Sequence, residues 1–272
     1  YTVGTGRFRA ATLNNTHYLF EDGEDPLYYD GTTCAKISDH PNYSGTVPTG
    51  GIPLASFGRL WVAKGTVVYW SDLLIGAAWN TGSSGSIDVS KVWTGGSDVI
   101  TGLATHNNFL FIFGKRQIIV YSGASDPATM ALSDTIVGIG CLEHRTIQNT
   151  GSDLIFLSET GVRSINRTIQ EKSAPIGDMS KNVRNELGSY LTAGYSYGSV
   201  YSPDEAFYLL NIRGAGVVYV FDMRGNLEDG SSRVTRWNAI NPLCLLYRTV
   251  ENDILIGKET SLGFVVLIEE YI

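Results

Sequence analysis

The sequence predicts an all-β protein, because one kind of short hairpin recurs along the chain and the composition suits strands joined by tight turns. In each copy, an apolar run is followed by a turn and a second apolar run; the copies cover residues 18–29, 60–70, 110–121, 154–165, 207–221 and 254–267. There are 31 glycines, 15 tyrosines and 10 phenylalanines, while charged residues make up only 17%. Such a composition favours short strands and turns over helices.

The strands are apolar at consecutive positions rather than at alternate ones. Residues 67–70 are Val-Val-Tyr-Trp and residues 118–121 are Ile-Ile-Val-Tyr. Continuous apolar strands indicate burial on both faces of a sheet. The stacked blades of a β-propeller bury both faces of antiparallel hairpins, whereas a plain sandwich leaves its outer faces in water.

The spacing of the hairpins supports the same architecture. Their first strands are centred near Trp61, Phe111, Phe156, Phe207 and Leu255, and intervals of roughly 45–50 residues match arrays of four-stranded blades. Weaker strands are expected at residues 34–38, 100–105, 141–149, 193–201 and 243–249. We therefore predict a β-propeller of about six blades, formed by residues 1–272 as a single domain.

Both ends of the chain carry expectations of their own. The chain lacks an initiating methionine and stops just after a strand, so we expect a fragment of a longer protein. Residues 7–11 are predicted to complete the final blade beside residues 264–268, because both segments are left over when hairpins are counted.

One segment departs from the strand pattern. Met179, Val183 and Leu187 recur at helical spacing, and Asp178 or Ser180 is suited to cap a helix N-terminus. The sequence therefore predicts one short helix near residues 178–191. Long loops rich in Gly, Ser and Thr lie at residues 40–53 and 80–98; they are candidate partner contacts, with plain solvated loops as the alternative.

Charge, cysteine count and hydropathy exclude several classes of protein. The net charge is −7, and the 20 Lys and Arg residues form no run longer than Lys115-Arg116, which argues against general nucleic-acid binding. Three widely spaced cysteines, Cys34, Cys141 and Cys244, predict reduced, mostly buried thiols. No apolar stretch reaches the roughly 18 residues of a membrane helix, so no membrane anchor is expected.

The search for chemistry predicts no enzyme and assigns no catalytic, cofactor-binding or metal-binding residue. The HExxH, GxSxG and phosphate-loop motifs are absent, and the four histidines, His17, His40, His106 and His144, lack metal-ligand spacing. The densest polar cluster, residues 21–25, is Glu-Asp-Gly-Glu-Asp. A calcium loop is one interpretation, but the cluster lacks the alternation of an EF-hand, which favours an acidic hairpin turn.

A family resemblance rests on the order of several of these strands. Residues 111–123 (Phe-Ile-Phe-Gly-Lys-Arg-Gln-Ile-Ile-Val-Tyr-Ser-Gly) lead through Asp126-Pro127 to Val-Gly-Ile-Gly-Cys at 137–141, and then to Asp-Leu-Ile-Phe-Leu-Ser-Glu-Thr-Gly-Val-Arg-Ser-Ile at 153–165. Pro-Leu-Tyr-Tyr-Asp-Gly at 26–31 fits the same order. The series resembles tail tubular protein B, or nozzle, and the related head–tail stabilisation proteins of short-tailed bacteriophages, over residues 18–170.

The resemblance implies a structural protein of the virion tail, assembled in the host cytoplasm. Its partners would be copies of itself in a ring, as a hexamer, an adaptor or portal-side tail protein, and tail fibres or spikes. Phage DNA would pass through the channel without sequence-specific binding. The propeller would then be one part of a larger subunit, and no cofactor is implied.

Two other readings remain open at the level of sequence. A carbohydrate-binding or carbohydrate-active propeller would use aromatic rings to stack on sugars, and Trp79 and Trp93, in or beside the second long loop, are the candidates; burial of both is the competing interpretation. An intracellular kelch-like adaptor would be a monomer with one open loop face.

Overall fold

A computed structural model describes residues 8–171, 178–238, 240–258 and 267–271 of the chain. The described strands form six antiparallel sheets, and each sheet is a meander of strands consecutive in sequence. The protein is all-β with a β-propeller arrangement, as predicted. It divides into two compact units, Tyr1–Gly138 and Ile139–Ile272.

The first unit contains three four-stranded sheets. Sheet 1 consists of strands β1 (Phe8–Leu13), β2 (Thr16–Glu21), β3 (Leu27–Tyr29) and β4 (Cys34–Lys36). Sheet 2 consists of β5 (Ile52–Ser56), β6 (Arg59–Lys64), β7 (Val67–Trp70) and β8 (Gly85–Asp88). Sheet 3 consists of β9 (Ile100–His106), β10 (Phe109–Gly114), β11 (Gln117–Ser122) and β12 (Ala131–Val137).

Among the described residues, the second unit contains one four-stranded sheet and two three-stranded sheets. Sheet 4 consists of β13 (Gln148–Asn149), β14 (Leu154–Ser158) and β15 (Gly161–Ser164). Sheet 5 consists of β16 (Ser196–Ser202), β17 (Phe207–Arg213), β18 (Val217–Asn226) and β19 (Ser232–Asn238). Sheet 6 consists of β20 (Pro242–Arg248), β21 (Asp253–Lys258) and β22 (Leu267–Tyr271).

The predicted hairpins and their burial on both faces are confirmed. Strand β6 alternates between two cores: Leu60 and Val62 pack against sheet 1, while Trp61 and Ala63 pack against sheet 3. In the second unit, β18 divides in the same way, because Tyr219 faces the core with sheet 4 and Val218 faces the core with sheet 6. Each apolar run therefore serves two interfaces, which explains why it does not alternate with polar residues.

The predicted helix is present as α2 (Arg184–Thr192), preceded by a 3-10 turn at Lys181–Val183. Met179 and Leu187 are buried in one core with sheets 4 and 5, and Val183 packs against them. The predicted cap is wrong, since Ser180 makes no capping hydrogen bond and its hydroxyl donates to the Asp178 carboxylate. A second short helix, α1 (Ile165–Glu171), follows β15 directly and was not predicted. No helix in the described part of the chain is long and apolar enough to cross a membrane.

The expectation that the N-terminal segment completes the last blade is wrong. Strand β1 pairs with β2 in sheet 1, whereas β22 pairs with β21 in sheet 6. The sequence from Phe8 to Glu21 forms a local hairpin closed by a two-residue turn at Asn14 and Asn15, and local pairing costs less loop entropy than a long-range strand. Residues 7 and 264–266 of that expectation lie outside the described residues.

Most of the weaker strands are confirmed, but residues 141–149 form only a two-residue strand. Most of that segment is taken up by a 3-10 turn at His144–Thr146, and only Gln148–Asn149 pairs with β14. The Thr146 hydroxyl donates to the Glu143 carbonyl and accepts from the backbone N–H of Leu157. Side-chain hydrogen bonds thus occupy groups that a longer strand would pair along its ladder.

Candidate functional site

The acidic cluster is a hairpin turn, as the sequence favoured. It joins β2 to β3, with the Asp22 carboxylate 2.6 Å from Nη1 of Arg9 and the Asp25 carboxylate 2.8 Å from Nζ of Lys36. No group of three His, Cys, Asp or Glu side chains in the described residues is arranged to hold a metal ion. The carboxylates of this turn instead tie it to the strands beside it.

Several aspartates fix loops by accepting backbone hydrogen bonds. The Asp72 carboxylate accepts from the backbone N–H groups of Ser83 and Leu73, and these bonds lower the pKa of Asp72. Asp30 accepts from Thr33 and Thr32 in the same manner, which lowers the pKa of that carboxyl. These carboxylates stay ionised and serve as anchors for loop backbone.

The two long loops are structured rather than simply solvated. Part of the second loop, residues 80–98, forms strand β8. At the first loop, the backbone of Ser44 exchanges hydrogen bonds with Ala77 and Trp79, and the isolated bridge to Ala78 is parallel. These contacts hold residues 40–53 against the segment that follows β7.

The two tryptophans proposed as sugar platforms are buried, as the competing interpretation expected. Trp79 is 9% exposed in the core between sheets 1 and 2, and Trp93 is 8% exposed in the core between sheets 2 and 3. Each indole N–H is buried without a hydrogen-bond partner among the described residues. Neither ring presents a face on which a sugar could stack.

The thiol prediction is correct in part. All three cysteines are free, but only Cys141 is buried, whereas Cys34 and Cys244 are exposed. Burial raises the pKa of the Cys141 thiol to about 12. The expectation of mostly buried thiols is therefore wrong, because Cys34 and Cys244 lie on the short edge strand β4 and the edge strand β20, whose side chains face solvent.

Exposed apolar side chains lie on edge strands of both units. Strand β12 is at the edge of sheet 3, and its Leu132 and Val137 are 50% and 42% exposed. Strand β20 is at the edge of sheet 6, and its Leu246 is 59% exposed. An edge strand offers unpaired backbone groups, and exposed apolar side chains beside them are suited to contact another protein.

A second candidate site is a cleft of about 450 Å³ beside the β18–β19 hairpin, here called the arginine cleft. It is lined by Asp222, Arg224, Gly225, Asn226 and Arg233. Arg224 donates from Nε and Nη2 to the two carboxylate oxygens of Asp222, at 2.9 and 2.8 Å, and these hydrogen bonds lower the pKa of Asp222 to about 2.

Sequence reasoning missed the arginine cleft because its two arginines are nine positions apart and belong to no charge run. They meet because Asp222 pairs with Arg233 in the β18–β19 ladder. The available signal was the hairpin itself: an apolar strand at residues 217–221 followed by a second strand at residues 232–238 would place Arg224 and Arg233 near one turn. The length of β19 was not apparent from its mixed composition.

Comparisons with known proteins define the fold and leave the function open. No protein family model matches the chain, and no curated protein matches it. Among solved structures, the chain is similar to a protein from Lactobacillus plantarum, with a TM-score of 0.57 and 12% identity over 95% of this chain and 82% of that one. At this level of identity the similarity concerns the fold alone.

The arrangement supported by this similarity is a β-propeller of five blades, so the predicted count of about six is slightly too high. The prediction of about six took each hairpin as one blade. Six hairpins give six sheets, but sheets 4 and 6 have only three strands among the described residues. A hairpin is only half of a four-stranded blade, and its presence does not show that the blade is complete.

Proposed function

We propose that this protein is a structural, non-enzymatic component of a bacteriophage tail, in a nozzle or hub ring. It would join the portal and adaptor region to the tail tip and form part of the conduit for DNA ejection. The order of apolar strands in residues 111–123 and 153–165 is the sequence basis of the proposal. The structural observation that carries it is edge strand β12, with half-exposed Leu132 and Val137 beside unpaired backbone.

The physical properties of the chain fit this role. Strands buried on both faces make a stiff scaffold, and carboxylate-anchored loops such as the one held by Asp72 keep its surface shaped. The net charge of −7 disfavours adhesion of phosphate backbones. The partners proposed are copies of the chain in a hexameric ring, the adaptor-side tail protein, and fibres or spikes, all within the virion, with DNA passing without sequence-specific contacts.

The assembly state tests the proposal. Native mass spectrometry and cryo-electron microscopy of the full-length protein, alone and with tail partners, should show a ring. Leu132→Asp should abolish that ring while leaving the circular dichroism spectrum unchanged, because a charge on an edge strand opposes strand-to-strand association. Leu73→Asp is the matched control, since Leu73 is 51% exposed, as Leu132 is at 50%, but lies in the loop after β7 and not on an edge strand.

Two outcomes would contradict the proposal. A monomer that forms no ring even with tail partners would remove the nozzle assignment. Equal loss of assembly in the Leu132 and Leu73 variants would remove β12 as the contact. The carbohydrate alternative is not favoured, because the tryptophans that motivate it are buried.

A further inference from the structure

The arginine cleft is opened by an irregularity in β18. The ladder with β19 pairs Asp222 with Arg233 and then Asn226 with Ser232, so the three residues between Asp222 and Asn226 on β18 have no partners in β19. Bulges of this kind redirect side chains out of the regular pleat. At Gly225, a Cβ atom would meet no atom within 4 Å, so the space beside the bulge is open.

Within this cleft, Arg224 is held in place from two sides. Its fork bonds to the Asp222 carboxylate, and its guanidinium carbon lies 5.1 Å from the centre of the Phe207 ring. These bonds use Nε and Nη2; Nη1 makes no hydrogen bond among the described residues. A guanidinium that is already oriented loses less side-chain entropy when it binds a ligand.

The second guanidinium is not neutralised in the same way. The side chain of Arg233 is exposed on β19 and makes no hydrogen bond or ion pair to another described residue, although its charge helps to lower the pKa of Asp222. The lining of the cleft thus carries two guanidinium groups and one carboxylate. The charge of Glu205, in the turn between β16 and β17, also acts on Arg224 and helps to raise the pKa of its guanidinium.

We propose that the arginine cleft binds the phosphate group of a small molecule. Guanidinium groups recognise oxyanions through paired N–H donors. The Asp222 carboxylate accepts from Nε, Nη2 and the backbone N–H of Arg224. A phosphate would accept from the remaining Nη1 of Arg224 and from the guanidinium of Arg233. The cleft of about 450 Å³ has room for the group and for part of the molecule that carries it. This site does not depend on the proposed tail function.

Isothermal titration calorimetry with inorganic phosphate at fixed ionic strength tests the site. Wild-type protein should bind phosphate saturably, and Arg233→Gln should weaken the affinity about tenfold, as expected for loss of one charge-assisted hydrogen-bonding partner. Arg224→Gln should weaken it at least as much. Glu205→Gln should tighten it about twofold, because it removes an opposing charge. Glycerol 3-phosphate, a phosphate monoester, and a dinucleotide, a phosphate diester, are titrated separately. The ligand that binds more tightly identifies the kind of phosphate ester that the cleft accepts.

Arg213→Gln is the matched control, because Arg213 lies at the opposite end of β17 from Phe207, about 20 Å away at the rise of a strand. The affinity of the Arg213→Gln variant for phosphate should differ from that of the wild-type protein by less than about twofold. Two results would overturn the proposal: no saturable phosphate binding by wild-type protein, or equal effects of the Arg233 and Arg213 substitutions. Arg233 is exposed and unpaired among the described residues, so its variant should fold, which circular dichroism verifies.

Discussion

The two compact units are built from the same hairpin, yet they complete their sheets differently. In the first unit, every sheet has four strands. In the second, sheet 5 has four strands, while sheets 4 and 6 have three among the described residues. After β15 the chain enters helix α1, and among the described residues an isolated bridge between Arg163 and Asp178 lies where a fourth strand of sheet 4 would pair. The hairpin is thus a common element, and the segments between hairpins decide how a sheet ends.

The turns that join the first two strands of each sheet also differ between the two units. In the first unit, the first two strands of each sheet are joined by two residues with positive φ: Asn14 with Asn15, Phe57 with Gly58, and Asn107 with Asn108. This is the geometry of a type I′ turn, whose twist matches that of the strands. In the second unit the corresponding turns are longer. Ala206 and Asn252 each have a positive φ, but the residue before each of them does not. The regular unit uses short turns that set register directly.

The second unit compensates with buried polar contacts. The Tyr208 hydroxyl donates to the Thr146 carbonyl at 2.8 Å, and the Cys141 thiol contacts the Thr146 hydroxyl. Burial raises the pKa of Tyr208, which keeps its hydroxyl protonated. A hydrogen-bonded 3-10 turn therefore links sheets 4 and 5.

The largest effect is expected from the apolar core of the first unit. Trp61→Ala should lower the free energy of unfolding by about 3–5 kcal/mol, because it empties a fully buried site. Hydrogen exchange should lose protection mainly in sheets 2 and 3, which Trp61 joins. Val250→Ala, at a position that is 87% exposed, is the control. Equal loss of protection in sheets 4–6 would show that the units unfold as one.

The polar contacts of the second unit should matter less. Tyr208→Phe should cost about 1–2 kcal/mol, because the buried Thr146 carbonyl loses its donor. Urea denaturation measures the difference. Tyr29→Phe removes an exposed hydroxyl that also donates to a backbone carbonyl, at Gly31, and should cost much less. Equal costs for the two variants would contradict a special role for the buried contact.

Alkaline pH should also act on the second unit through Cys141. The folded state holds this thiol neutral, with its pKa raised from 9.0 to about 12. The folded state is stabilised fully by the neutral thiol below pH 9. This stabilisation is lost between pH 9 and 12, because the unfolded thiol ionises there and the buried one does not, and the loss is about 1–2 kcal/mol at pH 10. Denaturation of wild type and Cys141→Ser at pH 8 and 10 tests this, with Cys34→Ser as the exposed control. An unchanged pH dependence in Cys141→Ser would argue against it.

The smallest effect should come from the longer turns. Ala206 has a φ of 51°, where a Cβ atom is strained. Ala206→Gly should raise the free energy of unfolding by about 0.5 kcal/mol, since relief of strain slightly exceeds the added entropy of the unfolded chain. Ala193→Gly, at a φ of −77°, should instead lower it. Thermal denaturation distinguishes the two, and loss of stability in Ala206→Gly would refute the strain argument.

The sequence by itself determined the hairpins, their burial on both faces and the short helix. These features follow from local patterns: the apolar runs of β6 and β18, and the helical spacing of Met179, Val183 and Leu187. Burial of apolar side chains lowers the free energy of the folded chain. A run of apolar residues therefore indicates a buried strand or helix even when the elements that pack against it are not known.

Only the tertiary structure decided how the elements combine. It placed β1 in sheet 1, put helix α1 directly after β15, buried Trp79 and Trp93, and brought Arg224 and Arg233 into one cleft through a bulge. Each of these depends on which strand pairs with which and in what register. The pairing and register of the strands depend on many contacts between residues that are distant in sequence. A local sequence pattern does not contain this information.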